Sequence, residues 1–498
     1  MKIVVVENPR PLTVEHYNDV ANAPLSASLN SGYACAVARR VGWEVTYLDF
    51  TATTLSVADV ATHILAEAAD IVLLHWVYSW GHEAFVGTVL EQLRRESPVA
   101  VGACGFFPTL SGQRLLGYVP QLDFLLSGEF EQTLAELLVA FAQRQVLAPL
   151  PGVLLRDQHL VPRPLLQHIG QLPVPDDLGA NCTYPSLNIA ASRGCYGTCS
   201  FCFIQRYYGC SLRRVRDLDS LEHEVAVRTA RREIRSLYFI DPTFIGHGHV
   251  ERERIVALAQ LAKRFQLPFG FETRVGSFDE ELMATLVAHG ATSVFLGIES
   301  GCDAVLGRIG KGISTEQIRT ALQIVRACGI ELNLGFIMFE PDTTLAELAE
   351  NYAFLDDQGL LTEHTLTANL LYHNQIVLYG SAAWEQYRRE GRLLLDEQLP
   401  FEARYRFRDE RVGLVCTAMG RITSHYFRGM ERVRNNCAAT VAVAGVPLSD
   451  QHGAQAINSL LKDAFSALCR AAATEAPQHV EQLADGYVGV LQGLCADL

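Results

Sequence analysis

The chain has 498 residues, 49% hydrophobic and 19% charged, a balance that suits a well-cored enzyme of two to four domains. Its net charge of −14 comes without a long basic run, which argues against non-specific nucleic-acid binding. A small or even anionic substrate stays open, because local potential outweighs the sum. Thirteen cysteines predict reduced thiols and metal work rather than a disulfide framework.

The first stretch alternates strand and helix. Continuous β-branched or apolar runs predict strands at Ile3–Val6, Trp43–Leu48, Ile71–Leu74, Val99–Val101 and Asp123–Leu126. Helical periodicity falls between them at Leu29–Val41, Val57–Ala68, Glu83–Arg95 and Glu131–Gln143. This order predicts an α/β domain over residues 1–145, a doubly wound Rossmann-like parallel sheet whose ligands bind beyond the carboxyl ends of the strands. The loops there are Asn8–Pro24, His75–His82, Gly102–Thr109 and Gly128–Glu129. The N-terminus reads as a strand and lacks the apolar core and small-residue cleavage site of a signal peptide. The longest apolar stretches, such as Ile71–Trp80, are too short to cross a bilayer. A cytoplasmic location is expected.

Residues 146–185 are proline-rich (Pro149, Pro151, Pro162, Pro164, Pro173, Pro175) and read as a linker. A second alternating run spans 186–381. Strands are expected at Leu187–Ala190, Ser236–Ile240, Phe269–Thr273, Ser293–Gly297, Glu331–Met338 and Thr365–Leu371. Helices are expected at Leu218–Arg231, Arg252–Phe265, Asp279–His289, Thr315–Cys328 and Leu345–Asp357. Six strands with intervening helices suit a partial (β/α)6 TIM barrel, whose chemistry lies at the carboxyl ends of the strands. Residues 382–498 read as a mainly helical C-terminal cap, for example Ala454–Ala473, without clear strand alternation. The scattered Cys416, Cys437, Cys469 and Cys495 read as buried or incidental thiols.

The most informative segment is Ala-Ser-Arg-Gly-Cys195-Tyr-Gly-Thr-Cys199-Ser-Phe-Cys202, a CxxxCxxC arrangement just after the first strand of the second run. Three thiolates this close can hold three corners of one cubic iron–sulfur cluster. The fourth iron is then left open to a small molecule. Structural zinc instead wants four ligands in two close pairs, and the nearest extra thiols are Cys182 and Cys210. A zinc or redox sensor remains the non-enzymatic alternative.

The cysteine segment, with Phe201 before the last cysteine, resembles the signature of radical SAM enzymes. Phe239–Phe244, Gly297-Ile-Glu-Ser-Gly301 with Val305-Leu306 and Lys311-Gly312, and Gly128–Leu138 resemble the branch that carries an N-terminal cobalamin-binding domain. The likeness runs over residues 1 to about 385. It implies a [4Fe–4S] cluster on Cys195, Cys199 and Cys202. It also implies S-adenosylmethionine chelated to the open iron, reductive cleavage of a sulfonium C–S bond, and an electron donor such as flavodoxin or ferredoxin. By position it implies that the Phe201 backbone lies near the adenine. Glu299 and Ser300 would lie on the ribose or amino side, and Glu272 and Arg274 beside the methionine carboxylate; a structural ion pair is the alternative for those two. Asp241 is a candidate for the substrate side.

The loop after the first strand departs from the branch: it lacks the Asp-x-His-x-x-Gly motif that gives a histidine to cobalt, and His16 has the wrong neighbours. His75 and His82 read as polar loop residues rather than cobalt ligands. Gly102, Gly105 and Gly128 are the candidates for close backbone approach to a nucleotide tail, with Phe106 and Phe107 interrupting the glycine loop. Gly335–Thr343, with Phe339 and Glu340 before Pro341, also departs from the glycine-rich turn of relatives. The reading that results is a cobalamin-dependent methyltransferase acting on an unactivated centre of a small molecule. The alternative is a radical SAM enzyme with a vestigial cobalamin fold, performing dehydration, cyclisation or 3-amino-3-carboxypropyl transfer in natural-product biosynthesis.

Overall fold

The computed structural model describes the chain except residues 10–26, 52–54, 78–82, 145, 146, 148, 177–183, 397, 398, 437–450, 497 and 498. His16, His82, Cys182 and Cys437 lie outside the described residues. Strands β1 (Lys2–Glu7), β2 (Glu44–Asp49), β3 (Ile71–His75), β4 (Ala100–Cys104) and β5 (Phe124–Leu126) form a parallel sheet in the order β2-β1-β3-β4-β5. Helices α1 (Leu29–Arg40), α2 (Val57–Ala66), α3 (Glu83–Glu96), α4 (Phe106–Tyr118) and α5 (Glu131–Arg144) connect and follow the strands. Both faces of the sheet are covered, which is why Ile3, Val4, Val5 and Val6 are all fully buried and the strand is apolar throughout. The strand order reverses at β1 and β3, and the carboxyl ends of these two strands mark the ligand crevice.

The proline-rich stretch is more than a linker. Within it β6 (Val153–Leu155) pairs antiparallel with β5 and closes the sheet edge. Three in-register residues with Val153 and Leu154 buried suffice for an edge strand.

The second unit contains β7 (Ser186–Ile189), the short pair β8 (Ser192–Arg193) and β9 (Arg214–Val215), then β10 (Ser236–Phe239), β11 (Phe269–Arg274), β12 (Ala291–Glu299) and β13 (Glu331–Phe336). Five of these form one parallel sheet, β13-β12-β11-β10-β7. Its helices are α6 (Ile204–Tyr208), α7 (Leu218–Arg231), α8 (His249–Arg264), α9 (Glu280–Ala288), α10 (Asp303–Arg308), α11 (Thr315–Cys328) and α12 (Leu345–Asp357).

The sixth strand expected at Thr365–Leu371 is instead helix α13 (His364–Tyr372). Glu363 caps it by accepting from the Thr365 and Leu366 amides, and Thr367, Ala368, Leu370 and Leu371 make its buried face. The apolar run was ambiguous in period, and the cap decides it. A single parallel bridge, Phe339 to Asn374, stands where the sixth strand would continue the half-barrel.

Beyond it come β14 (Val377–Leu378), α14 (Ala382–Arg389), β15 (Leu393–Asp396) and β16 (Leu399–Tyr405), which make a three-stranded antiparallel sheet beside one helix. This sheet was not anticipated, although Phe401, Ala403 and Tyr405 are buried and alternate with the outward Arg404, a period of two that the sequence shows. Three long helices, α15 (Glu410–Asn436), α16 (Gln451–Thr474) and α17 (Pro477–Ala496), finish the chain. They pack on the half-barrel: the Phe465 ring lies 5.3 Å from that of Tyr352 and 6.2 Å from that of Phe339. None of the described helices is long and apolar enough to cross a membrane.

Candidate active site

Cys195, Cys199 and Cys202 occupy a loop at the carboxyl end of β7, each partly accessible. The loop is held from several sides. The Ser200 amide donates to the Ile309 carbonyl at 2.9 Å, and the Ser200 carbonyl accepts from the Ala383 amide at 3.1 Å, tying the loop to α10 and α14. Phe201 packs on Cys302, Val305 and Ile309. The Gly197 amide donates to Cys195 Sγ at 3.3 Å, and Arg274 Nη1 reaches Cys199 Sγ at 3.5 Å. Gly197 permits this approach, since a Cβ there would lie 2.4 Å from the Arg274 guanidinium. Burial pushes the Cys202 thiol up to about 11, so loading a metal centre must release its proton.

Among the described residues no three His, Cys, Asp or Glu side chains converge on a single-ion site. Three soft thiol donors on one loop, steadied by backbone N–H groups and one guanidinium, fit a cluster.

Arg274 ends β11 and does not pair with Glu272. Its other nitrogen donates to the Lys311 carbonyl, and its guanidinium lies 5.7 Å from the Tyr196 ring centre. Burial works against its charge, and the Cys199 and Cys195 sulfurs more than offset that. Glu272 sits one step lower on the same face, within 3.3 Å of Tyr238 Oη. Glu299 ends β12 in a left-handed conformation, φ 62°, which is rare for a side-chain-bearing residue and marks a strained turn. Its carboxylate pairs with Lys311 Nζ at 2.7 Å, over Gly297.

Two candidates are structural. Ser300 is fully buried, donates to Asn351 Oδ1 at 2.7 Å and accepts from the Cys302 amide, so it braces the turn rather than facing a cofactor. Asp241 is fully buried and accepts from the Ser192 hydroxyl and the Ala191 amide, which removes it from the substrate side.

On the N-terminal sheet, Glu7 and His75 are the last residues of β1 and β3, at the ligand crevice. His75 is therefore not a loop residue. It is 3% exposed, with Nδ1 at 2.5 Å from Glu7 Oε1 and 3.1 Å from Ser28 Oγ, and Nε2 at 3.2 Å from Asn30. Both ring nitrogens are engaged by the protein, so His75 is no cobalt ligand.

Gly102 also departs from expectation. It lies inside β4, and a Cβ would stand 2.2 Å from the Phe124 ring, so its role is packing within the sheet. Gly105 follows β4 with φ 115°, and a Cβ would sit 2.5 Å from the Trp76 carbonyl. Gly105→Ala is expected to lower stability by about 1–3 kcal/mol through backbone strain, read as a lower denaturant midpoint at unchanged slope; no change would mean the turn can relax. Gly128 has φ 69° and uses both backbone groups within the protein, its amide to Thr109 and its carbonyl to Tyr207.

The two units meet at this edge. Phe106, just after Gly105, crosses to Phe203 and Tyr207, with ring centres 4.8 and 4.4 Å apart. Phe107 turns inward against Trp76 and Phe401. Tyr207 Oη donates to the Gly128 carbonyl at 2.7 Å. Glu129 accepts from Arg214 at 2.8 Å and from Arg193 at 3.1 Å, and Arg193 also pairs with Glu131. The helix after the cysteine loop thus rests on the crevice edge of the N-terminal sheet. With the strand-end turn at Gly105, and with His75 engaged by Glu7, Ser28 and Asn30 among the described residues, that edge fits a corrinoid.

Sequence reasoning did not single out Lys311, Arg193, Glu129 or Tyr207 as site residues. Lys311 carried a signal, a lone lysine in the family-like segment after Glu299. The other three are paired over 64 to 85 positions, beyond any local pattern.

The radical SAM superfamily model matches residues 189–355, and the B12 binding domain model matches residues 27–138. An uncharacterized methyltransferase of Pyrococcus horikoshii is 26% identical over 373 residues, covering 71% of this chain and 77% of that protein. The 4′-phospho-dehydrooxetanocin synthase of Priestia megaterium is 28% identical over 214 residues, 38% of this chain and 28% of that protein. Among solved structures, the cobalamin-dependent S-adenosylmethionine radical enzyme OxsB, with aqua-cobalamin and S-adenosylmethionine bound, shares the fold. The match covers 100% of this chain and 80% of that one, with a TM-score of 0.77 at 17% identity. The radical S-adenosylmethionine methyltransferase TsrM of Kitasatospora setae matches over 97% of this chain and 99% of its own, with a TM-score of 0.63 at 15% identity. With cysteine loop, half-barrel and preceding sheet all in place, the chain belongs to the radical SAM superfamily, in the branch that carries an N-terminal B12-binding domain.

Proposed function

We propose that this enzyme is a cobalamin-dependent methyltransferase acting on an unactivated carbon or phosphorus centre of a small molecule. The observation that carries the reading is the junction just described. Phe106, Phe203 and Tyr207 bring the crevice edge of the N-terminal sheet against the cysteine loop, so groups bound at the two places would face a common chamber. When bound, the cluster supplies an electron to the sulfonium of S-adenosylmethionine, and the corrinoid supplies a carrier for a methyl group.

The protein's own part is placement and exclusion. Cys195, Cys199 and Cys202 anchor one wall. Arg274 offsets thiolate charge, and its guanidinium suits a carboxylate. Glu299, held by Lys311, offers an acceptor at the strained turn. The Phe106–Phe203–Tyr207 cluster keeps water from the junction, which limits quenching of reactive species. An electron donor such as flavodoxin or ferredoxin completes the system.

The test uses anaerobically reconstituted protein. It should retain hydroxocobalamin at about micromolar concentration and release S-adenosylhomocysteine together with 5′-deoxyadenosine. Absence of corrinoid binding ends this reading. A second reading draws on the relative in Priestia megaterium, whose name is that of a synthase rather than a methyltransferase. In it the same chamber performs dehydration, cyclisation or 3-amino-3-carboxypropyl transfer. It predicts no S-adenosylhomocysteine in proportion to product, and methylthioadenosine in the transfer case.

A further inference from the structure

The wall of the half-barrel alternates in exposure. Leu237, Phe239, Phe271 and Val294 face the helices and are buried. The residues between them, Tyr238, Glu272, Ser293 and Phe295, keep part of their surface accessible, as do Asn188 and Asn333 at the same level on the outer strands. A closed eight-stranded barrel fills its interior with side chains. This one leaves an open lumen with a polar wall.

Glu272 is the unusual member of that wall. Among the described residues no guanidinium or ammonium pairs with it; its one side-chain hydrogen bond is accepted from Tyr238 Oη at 3.3 Å. Tyr238 reaches it by lying across β11 at Gly270, where a Cβ would stand 2.9 Å from the ring. The nearest cation along the strand, Arg274, is engaged by Cys199 and the Lys311 carbonyl. Burial, with Asp241 adding to it, pushes the Glu272 carboxyl up to about 7. Asp241, by contrast, is fully buried, but two protein donors satisfy it and Arg213 and Arg254 lie near. The contrast matters: a desolvated carboxyl without a cation is costly, and such groups concentrate where a ligand completes them.

We propose that Glu272, positioned by Tyr238, is the recognition point for a protonated amine on the substrate, so that the enzyme acts on an amine-bearing small molecule. This rests on the radical SAM reading above. Glu272 lies two residues, ~6.6 Å along the strand, below Arg274, so an amine anchored there holds a neighbouring carbon at the level of the cysteine loop. The negative wall, with Glu331 lower in the lumen, favours a cation over an anion.

The experiment uses the anaerobically reconstituted holoenzyme with S-adenosylmethionine present. The probes are glucosamine, tryptamine and lysine amide, each beside its N-acetylated derivative, and the readout is the thermal unfolding midpoint. At least one amine should raise the midpoint while its acetylated form does not. Glu272→Gln should weaken that amine's apparent affinity by about tenfold or more, the scale of losing a charge-assisted contact, and leave S-adenosylmethionine affinity unchanged. Tyr238→Phe should weaken it less. The comparison of amine with acetylated amine on the wild type needs no variant to fold. The proposal is overturned if no amine binds, if both forms bind equally, or if Glu272→Gln instead loses affinity for S-adenosylmethionine. Wild-type protein that cannot cleave S-adenosylmethionine would undo the earlier reading, whereas protein that cleaves it and ignores amines undoes only this one.

Discussion

Alanine at any one of Cys195, Cys199 and Cys202 is expected to cut reductive cleavage of S-adenosylmethionine by at least about a thousandfold, because groups that act as a unit lose nearly everything when one is removed. Iron and sulfide content and the visible absorbance of anaerobic protein should fall with it. The fold should survive, since the three thiols lie on one partly accessible loop that Ser200 and Phe201 tie down independently. Cys416→Ala and Cys469→Ala are the controls. Both lie on the long helices of the C-terminal cap, α15 and α16, away from the cysteine loop. A triplet variant that keeps a full cluster and its activity would remove the basis of the functional reading.

The second large effect concerns the junction between the two units. Arg193→Ala should destabilise the protein by about 3–5 kcal/mol, the cost of breaking a buried ion pair from one side. Arg193 is 7% exposed, and its guanidinium serves Glu129 and Glu131, which are buried at 6% and 1% exposure. Retention of hydroxocobalamin should fall with stability, because the same contacts set the crevice edge against the cysteine loop.

The junction also has a pH signature. Burial pushes the Glu129 carboxyl up, but Arg214 and Arg193 more than offset it and hold it below the ordinary value. A depressed folded-state carboxylate contributes stability that is present above its unfolded value, ~4.3, and is lost as pH falls through the folded value. The wild type should therefore keep its junction at neutral pH and loosen in acid, with the Arg193→Ala variant showing a smaller acid-dependent loss. Denaturant midpoints measured across this range, with and without the substitution, check both statements. Equal midpoints for the two proteins at neutral pH would show that the charges are not coupled.

Much of the architecture was legible because it follows from local pattern. The β-branched runs at Ile3–Val6 and Ile71–Leu74, and the capped helices Thr315–Cys328 and Leu345–Asp357, are where periodicity and punctuation place them. Failures came where the pattern was short or a neighbour mattered. Thr365–Leu371 has an apolar run compatible with either period, and Glu363 settles it as a helix. Gly102 resembles a loop glycine until Phe124 is seen against it. Ser300 resembles a ligand until Asn351 takes its hydroxyl.

The sequence by itself determined the chemistry of the cysteine loop, since CxxxCxxC puts three soft donors on one turn whatever the rest of the chain does. It also determined the two alternating units, because the periods of strands and helices are local properties of the chain. Only the tertiary structure decided which groups face one another. Lys311 on Glu299, Arg214 on Glu129, Phe106 on Tyr207 and Tyr238 on Glu272 are contacts between distant segments. They depend on how sheets and loops pack, a cooperative outcome of burial and pairing that no single segment encodes.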